Sequence, residues 1–403
     1  MASRRVIPLA VAGWSGDRGG IALHALPPLA LYVHFPWCVR KCPYCDFNSH
    51  EVRSTFPEAE YLEALTADLE QALPRIWGRR VTSVFIGGGT PSLLSETSVD
   101  CLLAAFRARV TLAPAAEITL EANPGAVESG KFAAFRAAGV NRVSLGIQSF
   151  NPRHLDALGR IHTEREARTA AALALHHFNN VNLDLMYALP EQTLEQAHED
   201  IETAVGLGPA HVSAYHLTLE PNTLFHRHPP PLPSTDLAAD MQDTIEEVLV
   251  QRGYEHYETS AFARPGSRCR HNLNYWQFGD YLGIGAGAHS KLSYADRIVR
   301  EVRFKHPQTY MEHAVAGNAV QEARQVDTRE LSFEFMMNAL RLNDGFDVRL
   351  FNERTGLALE TIRRELDDAE ARGLIEVSVH RIGPTYRGRR FLNDLLQIFL
   401  NER

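Results

Sequence analysis

The stretch Cys38-Val-Arg-Lys-Cys42-Pro-Tyr-Cys45 decides how this chain is interpreted. Its three cysteines stand at spacings of four and three residues, in a chain that has only five cysteines. Three thiolates can hold three irons of a four-iron, four-sulfur cluster and leave the fourth iron without a protein ligand. A metal centre with an open coordination position binds small molecules and is reactive.

Two other interpretations of these cysteines remain open. A zinc site would recruit His34 or His50 as its fourth ligand, because structural zinc takes four such ligands. A disulfide or a set of structural thiols is the second alternative. Odd, closely spaced cysteines in a chain that is otherwise poor in cysteine indicate a reducing compartment and disfavour the disulfide. A cluster is the leading interpretation, and Cys101, on a predicted amphipathic helix, is interpreted as a small buried hydrophobe.

The cysteines follow an extended apolar run, Leu29-Ala-Leu-Tyr-Val-His-Phe35, which predicts a β-strand. Pro36 and Trp37 end the run, so the cysteines lie in a loop at the C-terminal end of that strand. Strand and helix patterns then alternate, which predicts an α/β fold, an incomplete TIM-like (β/α)6 barrel with all strand C-termini on one edge. The predicted strands are residues 29–34, 81–86, 117–121, 142–147, 181–187 and 211–218.

After about residue 301 the pattern becomes rich in helices. Helical patterns at 330–342, 348–355 and 359–372 precede a strand at 374–379 and a hairpin at 383–390. This order predicts a small winged-helix-like C-terminal domain over 301–403, after a core over 29–300. The arginines of the hairpin, Arg387, Arg389 and Arg390, are predicted to face solvent rather than phosphates.

Composition excludes some functions. At 403 residues the chain has room for two domains, and its net charge of −8 argues against general nucleic-acid binding. Its hydrophobic content of 45% and charged content of 22% are ordinary for a globular protein. No apolar run reaches the roughly 20 residues that span a membrane. Residues 1–28 are predicted to be a poorly ordered tail rather than a secretory signal, and the protein is predicted to be cytoplasmic.

Glycine and polar residues recur where the predicted strands end. The second strand ends in Gly87-Gly-Gly-Thr-Pro-Ser92, whose glycines let a ligand approach the backbone closely. Glu121, Gln148 and Asp184 stand at the ends of later strands, and Arg160 follows a helix. A polar side chain such as Asp184 is costly to bury without a partner. Several such residues at matching strand ends predict a pocket at the edge that carries the cysteine loop.

The fragment Pro36-Trp-Cys-Val-Arg-Lys-Cys-Pro-Tyr-Cys-Asp-Phe-Asn-Ser-His50 resembles the radical S-adenosylmethionine (SAM) proteins, and the resemblance runs from about Tyr32 to the C-terminus. The similarity is greatest to the group that contains oxygen-independent coproporphyrinogen III oxidase and the HemW-type heme chaperones. It implies a radical SAM barrel with a [4Fe-4S] cluster, whose unique iron is chelated by SAM. Electron transfer into the sulfonium then yields methionine and a 5′-deoxyadenosyl radical, so the cofactor supplies the chemistry and the protein supplies positioning.

The resemblance also implies roles for individual residues. The implied cluster ligands are Cys38, Cys42 and Cys45. The residues implied to bind SAM are Tyr32, Tyr44, Gly88, Gly89, Thr90, Glu121, Gln148, Arg160 and Asp184. Among these, the glycine turn would hold the amino-acid end of SAM through backbone groups, a carboxylate suits the ribose hydroxyls, and Tyr44 would pack near the adenine.

Two features separate the oxidases from the chaperones within this group. The oxidases carry a fourth cysteine two residues after the third, where this chain has Phe47. The segment 269–289 is dense in aromatic residues and glycine, and its His271-Asn-Leu-Asn-Tyr-Trp276 resembles the His-Asn-x-x-Tyr-Trp motif by which HemW-type proteins bind heme. Imidazole is a common axial ligand of heme iron. The implied heme-binding residues are His271, Asn272, Tyr275 and Trp276, with Cys269 as a weaker candidate.

Two functions therefore stay open at this stage. The leading hypothesis is a chaperone that binds heme and delivers it to hemoproteins, among them membrane-bound respiratory enzymes. The alternative is an enzyme that decarboxylates coproporphyrinogen III without oxygen, and Phe47 argues against it. An electron donor such as a flavodoxin or ferredoxin is expected, no nucleic-acid partner is expected in view of the net charge, and a homodimer is left open.

Overall fold

The computed structural model describes residues 21–52, 55–125 and 130–400 of the chain. The strands in these ranges are β1 (Leu29–Phe35), β2 (Trp37–Cys38), β3 (His50–Glu51), β4 (Arg80–Gly88), β5 (Thr111–Ala122), β6 (Arg142–Gln148), β7 (Asn180–Tyr187), β8 (His211–His216), β9 (Glu255–Glu258), β10 (Ala261–Ala263), β11 (Asp280–Ile284), β12 (His289–Ser293), β13 (Ile298–Arg303), β14 (Val320–Gln325), β15 (Phe346–Asp347), β16 (Ile375–Val377) and β17 (Arg381–Pro384). The helices are α1 (Glu58–Ala72), α2 (Glu96–Arg109), α3 (Phe132–Ala138), α4 (Pro152–Ala157), α5 (Glu164–His177), α6 (Leu194–Leu207), α7 (Leu224–Arg227), α8 (Thr235–Gln251), α9 (Arg270–Trp276), α10 (Pro307–Val315), α11 (Thr328–Ala339), α12 (Val348–Thr355), α13 (Arg363–Ala371), α14 (Tyr386–Arg390) and α15 (Leu392–Gln397).

Twelve strands within the described ranges form one sheet, in the order β14-β13-β12-β11-β1-β4-β5-β6-β7-β8-β10-β9. The six consecutive strands from β1 to β8 are parallel neighbours, which confirms the predicted α/β fold with six parallel strands. The sheet has different strands at its two ends, so the barrel is incomplete. Phe35 of β1 pairs with Gly88 of β4, so the cysteine loop and the glycine turn begin side by side at the C-terminal edge.

The sheet extends beyond the parallel strands on both sides. β11 pairs parallel with β1, and β12, β13 and β14 follow antiparallel, while β10 and β9 extend the other side from β8. The strands β11 to β14 are not predicted from the sequence, because strands of five or six residues carry little periodic signal. β11 matters for the site because it covers the open side of β1.

The parallel strands turn apolar side chains outward to the helices and polar side chains inward. In β1, Leu31 and Val33 belong to the main hydrophobic core, which also includes residues of α1. Tyr32 and His34 alternate with them and face the inside of the barrel. Neighbouring strands contribute further buried polar residues to this interior, namely Ser83, Thr119, Ser144, Asn182 and Ser213. Buried polar groups require hydrogen bonds, so the inner face is a network rather than an apolar core.

Two predicted boundaries shift. Residues 1–20 of the predicted tail lie outside the described residues, whereas Ile21 and Leu23 are buried in the hydrophobic core of the C-terminal domain. The stretch 21–28 is therefore not a poorly ordered tail, because Ile21 and Leu23 pack into that core. Residue 300 falls inside β13, a strand of the main sheet. We propose a domain boundary near Val326, because the main hydrophobic core has no member after Ala319 and the second core is continuous from Val326 onward.

The C-terminal domain combines α11, α12 and α13 with a small sheet in the order β15-β17-β16, which agrees with the winged-helix-like prediction. The predicted hairpin over 383–390 is wrong. The wing is the antiparallel pair β16 and β17, and the arginines lie on α14 instead. Thr385 ends the strand because its hydroxyl caps α14 by accepting a hydrogen bond from the Gly388 N–H. No helix in the described part of the chain is long and apolar enough to cross a membrane.

Candidate cluster and cofactor site

The cysteine loop is held firmly at both ends. Cys38 lies in β2, which pairs with β3 through Trp37 and His50. The Lys41 ammonium donates to the carbonyls of Phe47 and Ser49, which closes the loop on itself. A loop with this many internal bonds holds its cysteines in defined positions.

Asn48 ties the end of the loop to the opposite wall of the barrel. Its side-chain amide donates to the carbonyl oxygens of Ala286 (2.9 Å) and Lys305 (2.8 Å). A side chain at Gly287 would collide with Asn48, because an added Cβ would lie 3.0 Å from its Cγ. Glycine at 287 therefore allows the segment after β11 to touch the cysteine loop.

The three cysteines of the loop are half-buried free thiols. Burial raises the pKa of the Cys38 and Cys45 thiols, and cluster binding is the event that would deprotonate them. The described residues contain no group of three or more His, Cys, Asp or Glu side chains close enough for one metal ion. Three thiolates without a further ligand are the donor set expected of a cluster in which each thiolate binds a different iron.

His34 is not free to serve as a fourth zinc ligand. Its Nε2 lies 2.9 Å from the Asn48 carbonyl oxygen, so that nitrogen carries the proton and donates. Nδ1 of the neutral ring then accepts from the Tyr32 hydroxyl, 2.9 Å away. Burial lowers the pKa of His34, which keeps the ring neutral. Both ring nitrogens are thus engaged, Nε2 with the cysteine loop and Nδ1 with Tyr32 of the same strand.

The other two cysteines lie elsewhere. Cys101 is exposed on α2, so its predicted burial is wrong. Val99, Leu102 and Phe106 occupy the buried face of that helix and leave Cys101 toward solvent. Cys269 is fully buried at the start of α9, where burial raises the pKa of its thiol to about 12.

The glycine turn lies directly on the backbone that precedes Cys38. The Gly89 N–H donates to the Phe35 carbonyl (2.6 Å), and the Thr90 N–H donates to the Trp37 carbonyl (2.7 Å). The Gly88 N–H donates to Glu121 at 3.0 Å, and Gly88 has a φ of 113°, which side-chain-bearing residues rarely adopt. Because these N–H groups are engaged, the carbonyl oxygens are what the turn offers to a ligand's amino group.

A cavity of about 420 Å³ opens between the cysteine loop and the strand ends. The predicted site residues that line it are Cys38, Cys42, Tyr44, Cys45, Gly88, Gly89, Thr90, Glu121, Gln148, Arg160 and Asp184. The structure therefore brings together the three cysteines and eight of the nine residues predicted to bind SAM. A cavity with thiols on one wall and carboxylates on another fits a cluster beside a cationic, hydroxyl-bearing cofactor.

Tyr32 stands outside the described lining of this cavity. Its ring lies deeper in the barrel, 6.3 Å from the Phe85 ring and 6.4 Å from the His271 ring between centroids. Burial raises the pKa of Tyr32 well above its usual value, and the nearby Glu121 adds to this. Tyr32 thus separates the cavity from the floor of the barrel.

Two carboxyl groups share the inner wall of the cavity. Asp184 accepts hydrogen bonds from Ser144 (2.7 Å) and Asn182 (2.8 Å). Glu121 accepts from the Gly88 N–H. Burial raises the pKa of Glu121 to about 8, and the charge of Asp184 adds to this. Burial also raises the pKa of Asp184. A cationic ligand in the cavity would lower the pKa of both carboxyl groups, because it favours their ionised forms.

We expect Glu121→Gln to flatten the pH dependence of stability. The pKa of Glu121 is about 8 in the folded protein and 4.5 ordinarily. Protonated Glu121 therefore contributes stability that is complete below pH 4.5 and lost as the pH rises through 8. The loss is roughly 2–4 kcal/mol, below the full shift because the cavity keeps part of the charge solvated. Urea unfolding of the SAM-free protein at pH 5 and pH 9 measures it, and equal pH slopes for wild type and variant would contradict the effect.

Asn123 is a site residue that the sequence analysis missed. It lies two residues after Glu121, and its amide donates to Thr90 Oγ1 (2.9 Å) while its oxygen accepts from Arg160 Nη2 (2.7 Å). Arg160 also lies 3.6 Å from the Cys42 sulfur. Asn123 thus connects the glycine turn to the arginine beside the cluster loop. The sequence does carry a signal for Asn123, namely its place in Glu-Ala-Asn-Pro, two residues after the predicted strand 117–121 ends.

Gln148 ends β6 with a φ of 68°, a left-handed conformation that few residues other than glycine adopt. The following residues hold it there, because Asp200 accepts from the Ser149 hydroxyl (2.6 Å) and the Phe150 N–H (2.7 Å). Strained backbone of this kind concentrates at ligand sites. The sequence predicts Gln148 as a pocket residue but carries no sign of this conformation.

The predicted heme motif forms α9 and lies at the floor of the barrel. His271 is 2% exposed, and its ring stacks on Phe85 with centroids 4.9 Å apart. Its Nδ1 lies 3.0 Å from the hydroxyl of Ser83, which pairs with Ala30 near the start of β1. The cysteine loop follows the other end of β1, so the structure separates the two motifs along the barrel axis.

His271 carries a buried nitrogen, Nε2, that has no hydrogen-bond partner among the described residues. Burial lowers the pKa of His271 to about 3, and Arg142 adds to this, so the imidazole is neutral. Buried polar atoms without partners are rare and call for an explanation. A neutral imidazole with a free ring nitrogen is the form that ligates metals.

The other residues of the motif face different neighbours. Tyr275 packs against the Tyr281 ring, with centroids 4.3 Å apart. Trp276 lies under the Arg341 guanidinium of the C-terminal domain, 4.3 Å from the ring centroid. Like His271 Nε2, the Trp276 Nε1 is buried and has no hydrogen-bond partner among the described residues. Asn272 is half-buried. The motif therefore connects the barrel floor to the C-terminal domain.

Comparison with known proteins agrees with this geometry. The model of the Radical SAM superfamily matches residues 32–204, and the model of the HemN C-terminal domain matches residues 326–391. The fold, the cysteine loop and the cavity together define a radical SAM protein, a class that holds a [4Fe-4S] cluster and SAM. The second match begins at the boundary that the hydrophobic cores indicate.

More specific relatives are named heme chaperone HemW. The protein from Escherichia coli K12 is 48% identical over 94% of this chain and 99% of its own length. The Haemophilus influenzae protein is 45% identical over 94% and 99%, and the Bacillus subtilis protein 34% over 92% and 99%. The chain belongs to this HemW family. A solved structure, coproporphyrinogen III oxidase from Escherichia coli, matches with a TM-score of 0.79 over 93% of this chain and 91% of that one, at 24% identity, which supports the fold.

Proposed function

We propose that this chain binds heme and delivers it to hemoproteins, on a core that holds a [4Fe-4S] cluster and SAM. The observation that carries the proposal is the 48% identity, over nearly the whole of both chains, to a protein named heme chaperone HemW. Phe47 supports it, since an exposed phenyl ring, 57% exposed at the cavity rim, stands where the oxidases carry a fourth cysteine.

For the core, we propose that Cys38, Cys42 and Cys45 ligate the cluster. When bound, cluster and SAM together supply one-electron chemistry at the sulfonium. The protein's part is positioning: the carbonyls of the glycine turn accept from the amino group of SAM, and the carboxyl groups of Glu121 and Asp184 offer acceptors for hydroxyl groups. Arg160 places a positive charge beside the Cys42 sulfur.

For heme, we propose His271 as the iron ligand through Nε2, with Asn272, Tyr275 and Trp276 as its neighbours on α9. The free Nε2 and the flat aromatic surroundings support this assignment. Because His271 is 2% exposed, a porphyrin reaches it only when α9 moves out of the barrel floor. Heme uptake by this chain therefore includes a conformational step.

A hemin titration tests the heme ligand. We expect hemin to give a shifted Soret band with the cluster-loaded wild type, and expect His271→Gln to lose the shift or weaken hemin binding at least tenfold. Glutamine keeps a polar group near Ser83 but does not ligate iron well. His154→Gln is the matched control, because His154 is also a buried histidine with an unpartnered ring nitrogen. No Soret shift in the wild type, or an equal one in His271→Gln, contradicts the assignment.

The same protein preparation tests the alternative function, the oxygen-independent decarboxylation of coproporphyrinogen III. Anaerobic incubation with coproporphyrinogen III, SAM and a reductant is expected to yield no protoporphyrinogen.

For the remaining partners, we propose a cytoplasmic protein that takes electrons from a flavodoxin or ferredoxin and serves recipients that include membrane respiratory enzymes. Size measurement with and without heme would test whether a homodimer forms.

A further inference from the structure

A chain of buried hydrogen bonds joins the start of α9 to Asp184 in the cavity. The Cys269 N–H donates to the Tyr257 hydroxyl (3.2 Å), which lies 2.9 Å from His211 Nε2. His211 Nδ1 lies 2.6 Å from the Asn182 side-chain oxygen, and the Asn182 amide donates to Asp184 at 2.8 Å. Cys269, Tyr257, His211 and Asn182 are each at most 2% exposed. The chain is therefore shielded from water between its two ends.

The direction of every bond in this chain is determined. Because Asn182 presents its oxygen to His211, Nδ1 of that ring is the donor. Nε2 of the neutral ring then accepts from the Tyr257 hydroxyl, which in turn accepts from Cys269. All donors thus point toward the Asp184 carboxylate, which accepts hydrogen bonds more strongly when it is ionised than when it is protonated. The strength of the chain depends on the charge of a group that lines the SAM cavity.

Ser144 and Ser213 support the chain at its cavity end. Ser144 accepts from the Asn182 amide (2.7 Å) and donates to the second oxygen of Asp184 (2.7 Å). Ser213 donates to the Asn182 oxygen at 3.1 Å. Each carboxylate oxygen of Asp184 thus accepts one of these hydrogen bonds. A change in the charge of Asp184 therefore changes the strength of its hydrogen bond with Asn182.

We propose that this chain of hydrogen bonds couples the SAM cavity to the heme site. SAM in the cavity then holds α9 closed and weakens heme binding at His271. SAM carries a cationic sulfonium, which favours the ionised Asp184 and so strengthens every bond toward it. Tyr257 and His211 are the positioning residues of this link, and neither lines the cavity. The coupling rests on the proposed function, because its second ligand is heme. Through it, SAM would control when the protein takes up and releases heme.

Tyr257→Phe is the decisive variant, because it removes one hydroxyl in the middle of the chain and leaves both ends intact. Tyr254→Phe is its matched control: Tyr254 is 3% exposed, and its hydroxyl donates to the Pro209 carbonyl outside the chain. The measured quantity is the dissociation constant for hemin, with and without saturating SAM, in cluster-loaded protein. We expect SAM to weaken hemin binding of the wild type and of Tyr254→Phe by roughly 5- to 150-fold, the usual range of allosteric coupling.

In Tyr257→Phe we expect less than a twofold effect of SAM. An absence of weakening in the wild type, or equal weakening in Tyr257→Phe, overturns the coupling. Hydrogen exchange of the α9 amides separates this failure from failure of the heme assignment, because it needs no heme. SAM is expected to slow exchange in residues 270–276 of the wild type and not of Tyr257→Phe. Exchange that SAM leaves unchanged in the wild type also overturns the coupling.

Discussion

Replacement of Cys38, Cys42 or Cys45 by Ser is expected to abolish the cluster. Each of these thiols would hold a different iron, so loss of any one leaves two protein ligands for four irons. A serine hydroxyl is a poor substitute, because iron–sulfur clusters depend on thiolate ligands. After anaerobic reconstitution we expect the broad visible absorbance, the brown colour and the bound iron to be lost in all three single variants, and SAM cleavage with them.

Two further cysteines provide the controls. Cys101→Ser changes an exposed thiol on α2 and should leave iron content and colour at wild-type values. Cys269→Ser changes a buried thiol at the barrel floor, whose sulfur lies 3.5 Å from a Glu117 carboxylate oxygen, and should also retain the cluster. If the colour persists in all three loop variants, the assignment of the ligands to this loop is wrong.

The cysteine site was predictable because its information is local. Three thiols within eight residues must lie near one another wherever the loop goes, and the preceding apolar run places that loop at a strand end. The parallel order of the strands then brings Glu121, Gln148 and Asp184 to the same edge, since right-handed crossovers leave all the C-termini together. The cavity that these residues line is the consequence of that topology.

The barrel interior was less predictable, because its pairings span the chain. Nothing in the spacing of Tyr257 and Asn182 indicates that His211 lies between them. The same holds for Glu117, which accepts hydrogen bonds from the backbone N–H groups of Arg270 (3.1 Å) and His271 (3.1 Å) and so fixes the start of α9. Such contacts depend on tertiary packing, which periodicity does not encode.

The position of α9 changes how the two motifs relate. From the sequence, each motif is assigned its own ligand, and the position of one relative to the other is not predicted. In the structure His271 lies at the floor of the barrel, while the cysteine loop follows the opposite strand ends. Tyr32 stands between them, bonded to His34 on one side and packed near His271 on the other. Communication between heme and cluster therefore has to pass through the barrel interior.

The second large effect is expected from Gly89→Ala. A Cβ at Gly89 would lie 2.8 Å from the carbonyl carbon of Trp37 and 3.0 Å from the carbonyl oxygen of Phe35, both of them backbone atoms with little freedom to move. The turn would have to retreat, and it would lose the hydrogen bonds that Gly89 and Thr90 donate to that segment. We expect a loss of roughly 3 kcal/mol in stability and of most of the cluster and SAM binding, because Cys38 follows the displaced segment.

Gly206→Ala is the matched control for this variant. Gly206 lies in α6, where an added Cβ meets no atom within 4 Å. Alanine there is expected to stabilise the protein by about 0.4–1 kcal/mol, because it reduces the freedom of the unfolded chain. Iron content, SAM affinity by equilibrium dialysis and urea unfolding of the two variants give the comparison. Wild-type iron and SAM binding in Gly89→Ala would show that the close backbone approach does not position the cluster loop, whereas their loss in that variant alone would assign the positioning to the backbone of the turn.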